Sequence, residues 1–139
     1  MNRRDFLKKS SIVTAGTCCL GVGSLLSSCT KAVYAPATVA KNEVFLDRSQ
    51  LDNNSFVIVK NDQLEGPIYV RKNGNDYIAF SMICTHRGCI VDPAGDILVC
   101  PCHGAEFSNT GKVLSPPAPK NLPSYKVKID GDQLIITLV

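Results

Sequence analysis

Two strings hold most of the chemistry-bearing residues of this chain: CTHRGC from Cys84 to Cys89, and CPCHG from Cys100 to Gly104. Each offers a cysteine and a histidine at metal-ligand spacing, Cys84 with His86 and Cys100 with His103. Each also holds a further cysteine, Cys89 or Cys102, and the chain's two histidines both lie here. Two thiolates and two imidazoles can close a tetrahedral zinc site. They can equally hold a cluster of two irons and two sulfides, in which bridging sulfides fill half of each iron's positions and the protein fills the rest. Two ferric ions, two sulfides and two thiolates sum to zero charge, whereas four thiolates leave the cluster doubly negative. The neutral centre accepts an electron more readily, so its potential rises to roughly −150 to +300 mV.

The strings resemble the two boxes of the Rieske iron–sulfur family, CTHRGC the first and CPCHGA (Cys100 to Ala105) the second. That resemblance implies one [2Fe–2S] cluster, with Cys84 and Cys100 on one iron and His86 and His103 on the other. It also implies a disulfide between Cys89 and Cys102 across the two loops. Such a disulfide marks the family's high-potential branch, which includes quinol-oxidising cytochrome bc-type complexes and arsenite oxidase small subunits. Rieske ferredoxins and ring-hydroxylating dioxygenases lack it. The resemblance covers about residues 80–120 and is architectural beyond them. The rival is a structural zinc module, which is not redox-active. The two additional cysteines, and an export signal for a compartment where disulfides persist, favour the iron–sulfur reading.

Four features depart from the family pattern. The 13 residues between His86 and Cys100 make a short gap, which calls for a tight hairpin. Arg87 stands where quinol-oxidising relatives carry a shielding Leu. Ala105 stands where they carry a Ser bonded to a bridging sulfide, and Phe107 where they carry a Tyr bonded to a cysteine sulfur. Hydrogen bonds to sulfur favour the reduced cluster and raise its potential. Ala105 and Phe107 therefore predict a midpoint below that of ubiquinol-oxidising members, suited to a donor such as menaquinol. The cationic Arg87 offsets part of that shift.

The N-terminal NRRDFLKK (Asn2 to Lys9) resembles the twin-arginine export motif, with Arg3 and Arg4 as its pair. A weakly apolar run, Ser11 to Leu26, follows. It is too short and polar for a membrane span, which takes about 20 apolar residues, and it fits a signal's apolar core; an amphipathic first helix is the alternative. The run ends LSSC, which resembles a lipobox with Cys29 as the lipidated residue; an uncleaved anchor or a chance cysteine are the other readings. Cys18 and Cys19 read as apolar filler. Lipid or anchor alike implies a domain tethered on the periplasmic side of a bacterial membrane.

Without residues 1–29 about 110 residues remain, enough for one domain. They hold 11 Lys or Arg and 11 Asp or Glu, so the chain's net charge of +3 comes from the leader. Nothing marks a nucleic-acid surface. Non-haem iron oxygenases use two histidines and a carboxylate, and here both histidines are committed. No nucleophile constellation or phosphate loop is visible, so no turnover by the chain alone is expected.

The elements that must position the boxes read as short strands. Phe56 to Lys60 is apolar and β-branched. Ile68 to Lys72 and Tyr77 to Met82 flank Asn73-Gly74, and Tyr125 to Ile129 and Leu134 to Val139 flank Asp130-Gly131, two hairpin signals. Asp92 to Asp96 (DPAGD) reads as a turn between Ile90-Val91 and Ile97 to Val99. Val127 and Ile129 alternate with Lys126 and Lys128, the period of a half-buried strand. The pattern predicts an all-β antiparallel sandwich without helices. Residues 30–42 read as a linker and 43–139 as the domain, with a small cluster-binding subdomain at about 80–120 in a base of short strands. Ser115 to Pro119 (SPPAP) resembles the family's proline-rich loop over the cluster; a stiff connector is the plainer reading.

The expected function is one-electron transfer in a respiratory chain. Three settings fit: the quinol-oxidising subunit of a cytochrome bc-type complex, with His103 as the quinol contact; the small subunit of a molybdenum oxidoreductase; or a free-standing lipoprotein carrier.

Overall fold

The computed structural model describes residues 31–138. Arg3, Arg4, Cys18, Cys19 and Cys29, and with them the expected export signal and lipobox, lie outside the described residues. The described residues form twelve strands: β1 (Tyr34–Ala35), β2 (Thr38–Ala40), β3 (Glu43–Asp47), β4 (Phe56–Val59), β5 (Ile68–Asn73), β6 (Asp76–Ser81), β7 (Asp92–Ala94), β8 (Ile97–Val99), β9 (Glu106–Ser108), β10 (Val113–Ser115), β11 (Ser124–Asp130) and β12 (Gln133–Thr137). Eight make one sheet in the order β1-β4-β5-β6-β11-β12-β3-β2, and four make a second in the order β10-β9-β8-β7. The small sheet is inserted in sequence between β6 and β11 and carries both boxes at its margins.

The large sheet buries both faces where it meets the insertion. Along β4, Phe56 and Ile58 pack with Tyr69, Phe80 and the core of the small sheet. Val57 and Val59 pack on the other face with Ile68, Val70, Leu134 and Ile136. A strand buried on both sides has no polar face, so FVIV reads as an unbroken apolar run. Each such side chain, once buried, contributes about 1.5–3 kcal/mol. Phe56, Tyr69 and Phe80 stack in series, with ring centroids 4.8 and 4.9 Å apart.

The structure departs from the sequence-based expectations in several places. Residues expected to form a linker carry β1, which pairs with β4, and β2, which pairs with β3. The β1–β4 pair is parallel, so the large sheet is not wholly antiparallel. DPAGD is not all turn: Asp92, Pro93 and Ala94 pair with Val99, Leu98 and Ile97. Pro93 is tolerated because β7 is an edge strand, where a missing N–H goes unnoticed. Ile129 is 42% exposed despite its alternation, because it lies near the turn end of β11, past the edge of the core. A short 3-10 turn, Arg48–Leu51, follows β3, with Asp47 accepting from the Ser49 N–H.

The two turns signalled by Asn73-Gly74 and Asp130-Gly131 sit one residue later than those dipeptides, and the turn within DPAGD narrows to Gly95-Asp96. Asn73 pairs with Asp76, Ala94 with Ile97 and Asp130 with Gln133. Gly74, Gly95 and Gly131 therefore take the first turn position, at φ 64°, 67° and 55°. Glycine first at positive φ is the type II′ pattern.

Candidate metal centre

The two boxes fold as matched loops. In the first, the Cys84 N–H donates to the Cys89 carbonyl at 2.7 Å and the Gly88 N–H donates to the Cys84 carbonyl at 2.9 Å. In the second, the Cys100 N–H donates to the Ala105 carbonyl at 2.8 Å and the Gly104 N–H to the Cys100 carbonyl at 2.9 Å. Gly88 and Gly104 hold the same fifth place in their loops, at φ 79° and 72°. A side chain there would be strained by about 1–2 kcal/mol. Within this common frame the cysteine that opens each loop is equivalent, and the histidines differ by one place.

The matched loops bring all six predicted residues together. Cys84 and Cys100 are free thiols, 2% and 1% exposed, in the core of the small sheet. His86 is half-buried and His103 exposed, and their rings meet edge to face with centroids 4.7 Å apart. Cys89 and Cys102 form a disulfide that ties one loop to the other, with Cα atoms 6.5 Å apart. The sulfurs of Cys89, Cys100 and Cys102 lie within 4.8 Å of one another. That trio is not a metal site, because the disulfide leaves only Cys100 a thiol.

Three observations fit a metal group between the loops. The Nδ1 atom of His86 is buried and has no hydrogen-bond partner among the described residues. A buried imidazole nitrogen left unpaired is costly, and a metal bond removes the cost. Burial pushes the Cys84 thiol above its ordinary pKa. The His86 and Arg87 N–H groups oppose that rise, and the nearby Cys100 thiol adds to it. Two adjacent thiols in a dry pocket ionise together only beside a cation, which deprotonates coordinated thiols. Finally, soft sulfur on the inner side and imidazole on the outer side is the mixed donor set that iron–sulfur centres use.

The residues expected to tune the site lie close by. Ala105 and Phe107 are fully buried in the same core as Cys84 and Cys100. Arg87 is exposed at the tip of the first loop. Ser115 to Pro119 turns its prolines outward and drops Ala118, 8% exposed, into the core. Sequence reasoning missed two contacts that hold this loop. The Thr85 hydroxyl donates to the Lys120 carbonyl at 2.6 Å, and the Ser115 hydroxyl donates to the Glu106 carboxylate at 3.1 Å. Thr85 lies between two ligand candidates, the one sign in the sequence that its hydroxyl had a structural task.

The Rieske [2Fe-2S] domain model matches residues 32–126. The cytochrome b6-f complex iron-sulfur subunit of Chlorobaculum tepidum is 34% identical, over 98% of this chain and 75% of that protein. Among solved structures, the cyanobacterial plasma membrane Rieske protein PetC3 from Synechocystis PCC 6803 is 36% identical with a TM-score of 0.56, covering 66% of this chain and 94% of that one. A chain of a hyperthermophilic respiratory Complex III is 26% identical with a TM-score of 0.54, covering 69% of this chain and 74% of that one.

Proposed function

The chain belongs to the Rieske [2Fe–2S] family, and from that membership we propose a membrane-tethered one-electron relay that works with a cytochrome-type partner. Cys84 and Cys100 would hold one iron of the cluster, and His86 and His103 the other. Bound there, the cluster supplies a one-electron couple whose potential imidazole ligation raises. The observation that carries this reading is the joining of two buried thiols and two touching imidazoles by matched loops.

The chain's own residues divide the work. Cys84 and Cys100 keep one side of the site dry, since both lie inside the core. His103, exposed at the tip of its loop, presents its ring to solvent or to a docked donor. Its outer nitrogen can hold a proton when electron density at the site rises and release it when that density falls. Coupled uptake of this kind suits a hydroquinone donor, with His103 as its contact. Ala105 and Phe107 supply no hydroxyl to the sulfurs, which favours a lower-potential donor such as menaquinol. Arg87 places a cation beside the first loop and offsets part of that effect.

Export by the twin-arginine route, with Arg3 and Arg4, suits a protein loaded with its cofactor before it crosses the membrane. Lipidation at Cys29 would then tether the domain on the periplasmic side, and residues 43–139 would carry the relay. Solubilisation from native membranes and co-purification tests the setting. A cytochrome b partner supports the quinol-oxidising complex. A molybdenum subunit, or no partner, would replace it with one of the other two settings.

A further inference from the structure

We infer that Gly66, which lies outside both boxes, positions the first box by leaving room for Ile83. The inference rests on Cys84 and His86 being ligands. Gly66 sits in the loop between β4 and β5, and its φ lies outside the left-handed region, so no left-handed strain bars a side chain there. What the position demands is space. A Cβ on Gly66 would stand 2.8 Å from both Cγ1 and Cδ1 of Ile83, and 3.6 Å from Cδ1 of Ile90.

Ile83 immediately precedes Cys84 and bridges to Ile90 across the foot of the first loop. It has little room to step aside. Rotation about χ2 moves Cδ1 but leaves Cγ1 in place, and χ1 is stiff in a β-branched side chain. The other branch, Cγ2, faces Gly88, 4.0 Å from where a Cβ on that glycine would lie. The half-buried side chain thus lies between Gly66 and the left-handed glycine of the loop, with its close approach on the Gly66 side. The main chain is held as well. The Met82 N–H donates to the Pro67 carbonyl at 2.9 Å, and the Val91 N–H donates to the Met82 carbonyl at 2.9 Å. Added bulk at Gly66 therefore passes through Ile83 to Cys84 and His86 rather than out through the surface loop.

Gly66→Ala, Ile83→Ala and the double variant test this, with Gly74→Ala as a control, since a side chain at Gly74 meets backbone strain at φ 64° but faces open space, so it carries no steric clash. Local opening in Gly66→Ala should rise about five- to 150-fold, the fold-change that corresponds to about 1–3 kcal/mol of overpacking. The readouts are hydrogen exchange over residues 82–91 in the protein as purified, and the paramagnetic resonance line positions after reduction. Gly66→Ala should speed the exchange and shift the lines, the double variant should return both toward wild type, and Gly74→Ala should move neither. If Gly66→Ala fails to fold but the double variant folds, the steric account is supported. Wild-type exchange and lines in Gly66→Ala, simple additivity in the double variant, or failure of both to fold would overturn it. A wild-type protein that binds no iron would refute the ligand assignment instead, and the exchange readout would still decide the role of Gly66.

Discussion

The Thr85 hydroxyl reaches across 35 residues of sequence to donate to the Lys120 carbonyl at 2.6 Å. This bond ties the first loop, between its cysteine and its histidine, to the end of the proline-rich segment. Both partners are reachable by water, so its net worth is that of an ordinary hydrogen bond, about 1 kcal/mol. Thr85→Val should lower unfolding free energy by about that amount, and Thr85→Ser should retain most of it. Denaturant titration of the loaded protein checks both.

The disulfide spans a sequence separation of 13 between Cys89 and Cys102. Closing a loop of roughly 15 residues stabilises by about 3 kcal/mol through loss of unfolded-state freedom. Cys89→Ser with Cys102→Ser should therefore lower stability by about 3 kcal/mol. The loops would also lose their one covalent tie, so iron should leave faster when a chelator is added. Parallel unfolding and iron-release curves would show whether the two effects coincide.

Ala105 and Phe107 are both 0% exposed, within the core that holds the two free thiols. A hydroxyl introduced at either place is expected to bond sulfur and favour the reduced state. At about 1 kcal/mol of differential bonding, each of Ala105→Ser and Phe107→Tyr should raise a one-electron midpoint by roughly 40 mV. Voltammetry reads this directly, and unchanged midpoints in both variants would remove the hydrogen-bond account of a lowered potential.

Tyr69 lies between the rings of Phe56 and Phe80, and burial pushes its phenol up to about 12, with Asp96 adding to the rise and Arg71 opposing it. A phenol held neutral by the fold stabilises fully below its unfolded pKa of about 10. That contribution is lost as pH climbs toward 12. One of the four tyrosines should therefore give a late phenolate absorbance step, and Tyr69→Phe should abolish it. The variant's stability should also fall less steeply over the same alkaline range.

The candidate ligands were legible because they stand close together in sequence: Cys84, His86, Cys100 and His103 mark a metal site by type and spacing, and the family resemblance names its cluster. The core strands were legible for a similar reason, since Phe56 to Val59 is an apolar, β-branched run, and the structure buries all four of its residues. What the sequence hid depends on contacts between distant segments. Tyr34 and Ala35 look like linker residues until β4 offers them an edge. Pro93 looks like a turn residue until β7 proves to be an edge strand. Gly66 has no motif around it, and only the approach of Ile83 gives it a role.

Paramagnetic resonance of the reduced protein, with iron and acid-labile sulfide measured on the same sample, tests the central claim most directly. Two thiolates and two imidazoles on one cluster predict a rhombic signal with an average g below the free-electron value, and equal iron and sulfide. Nitrogen couplings should appear, and replacing His103 should remove part of them. An iron-free protein containing zinc, or the signal of an all-thiolate cluster, would contradict the account.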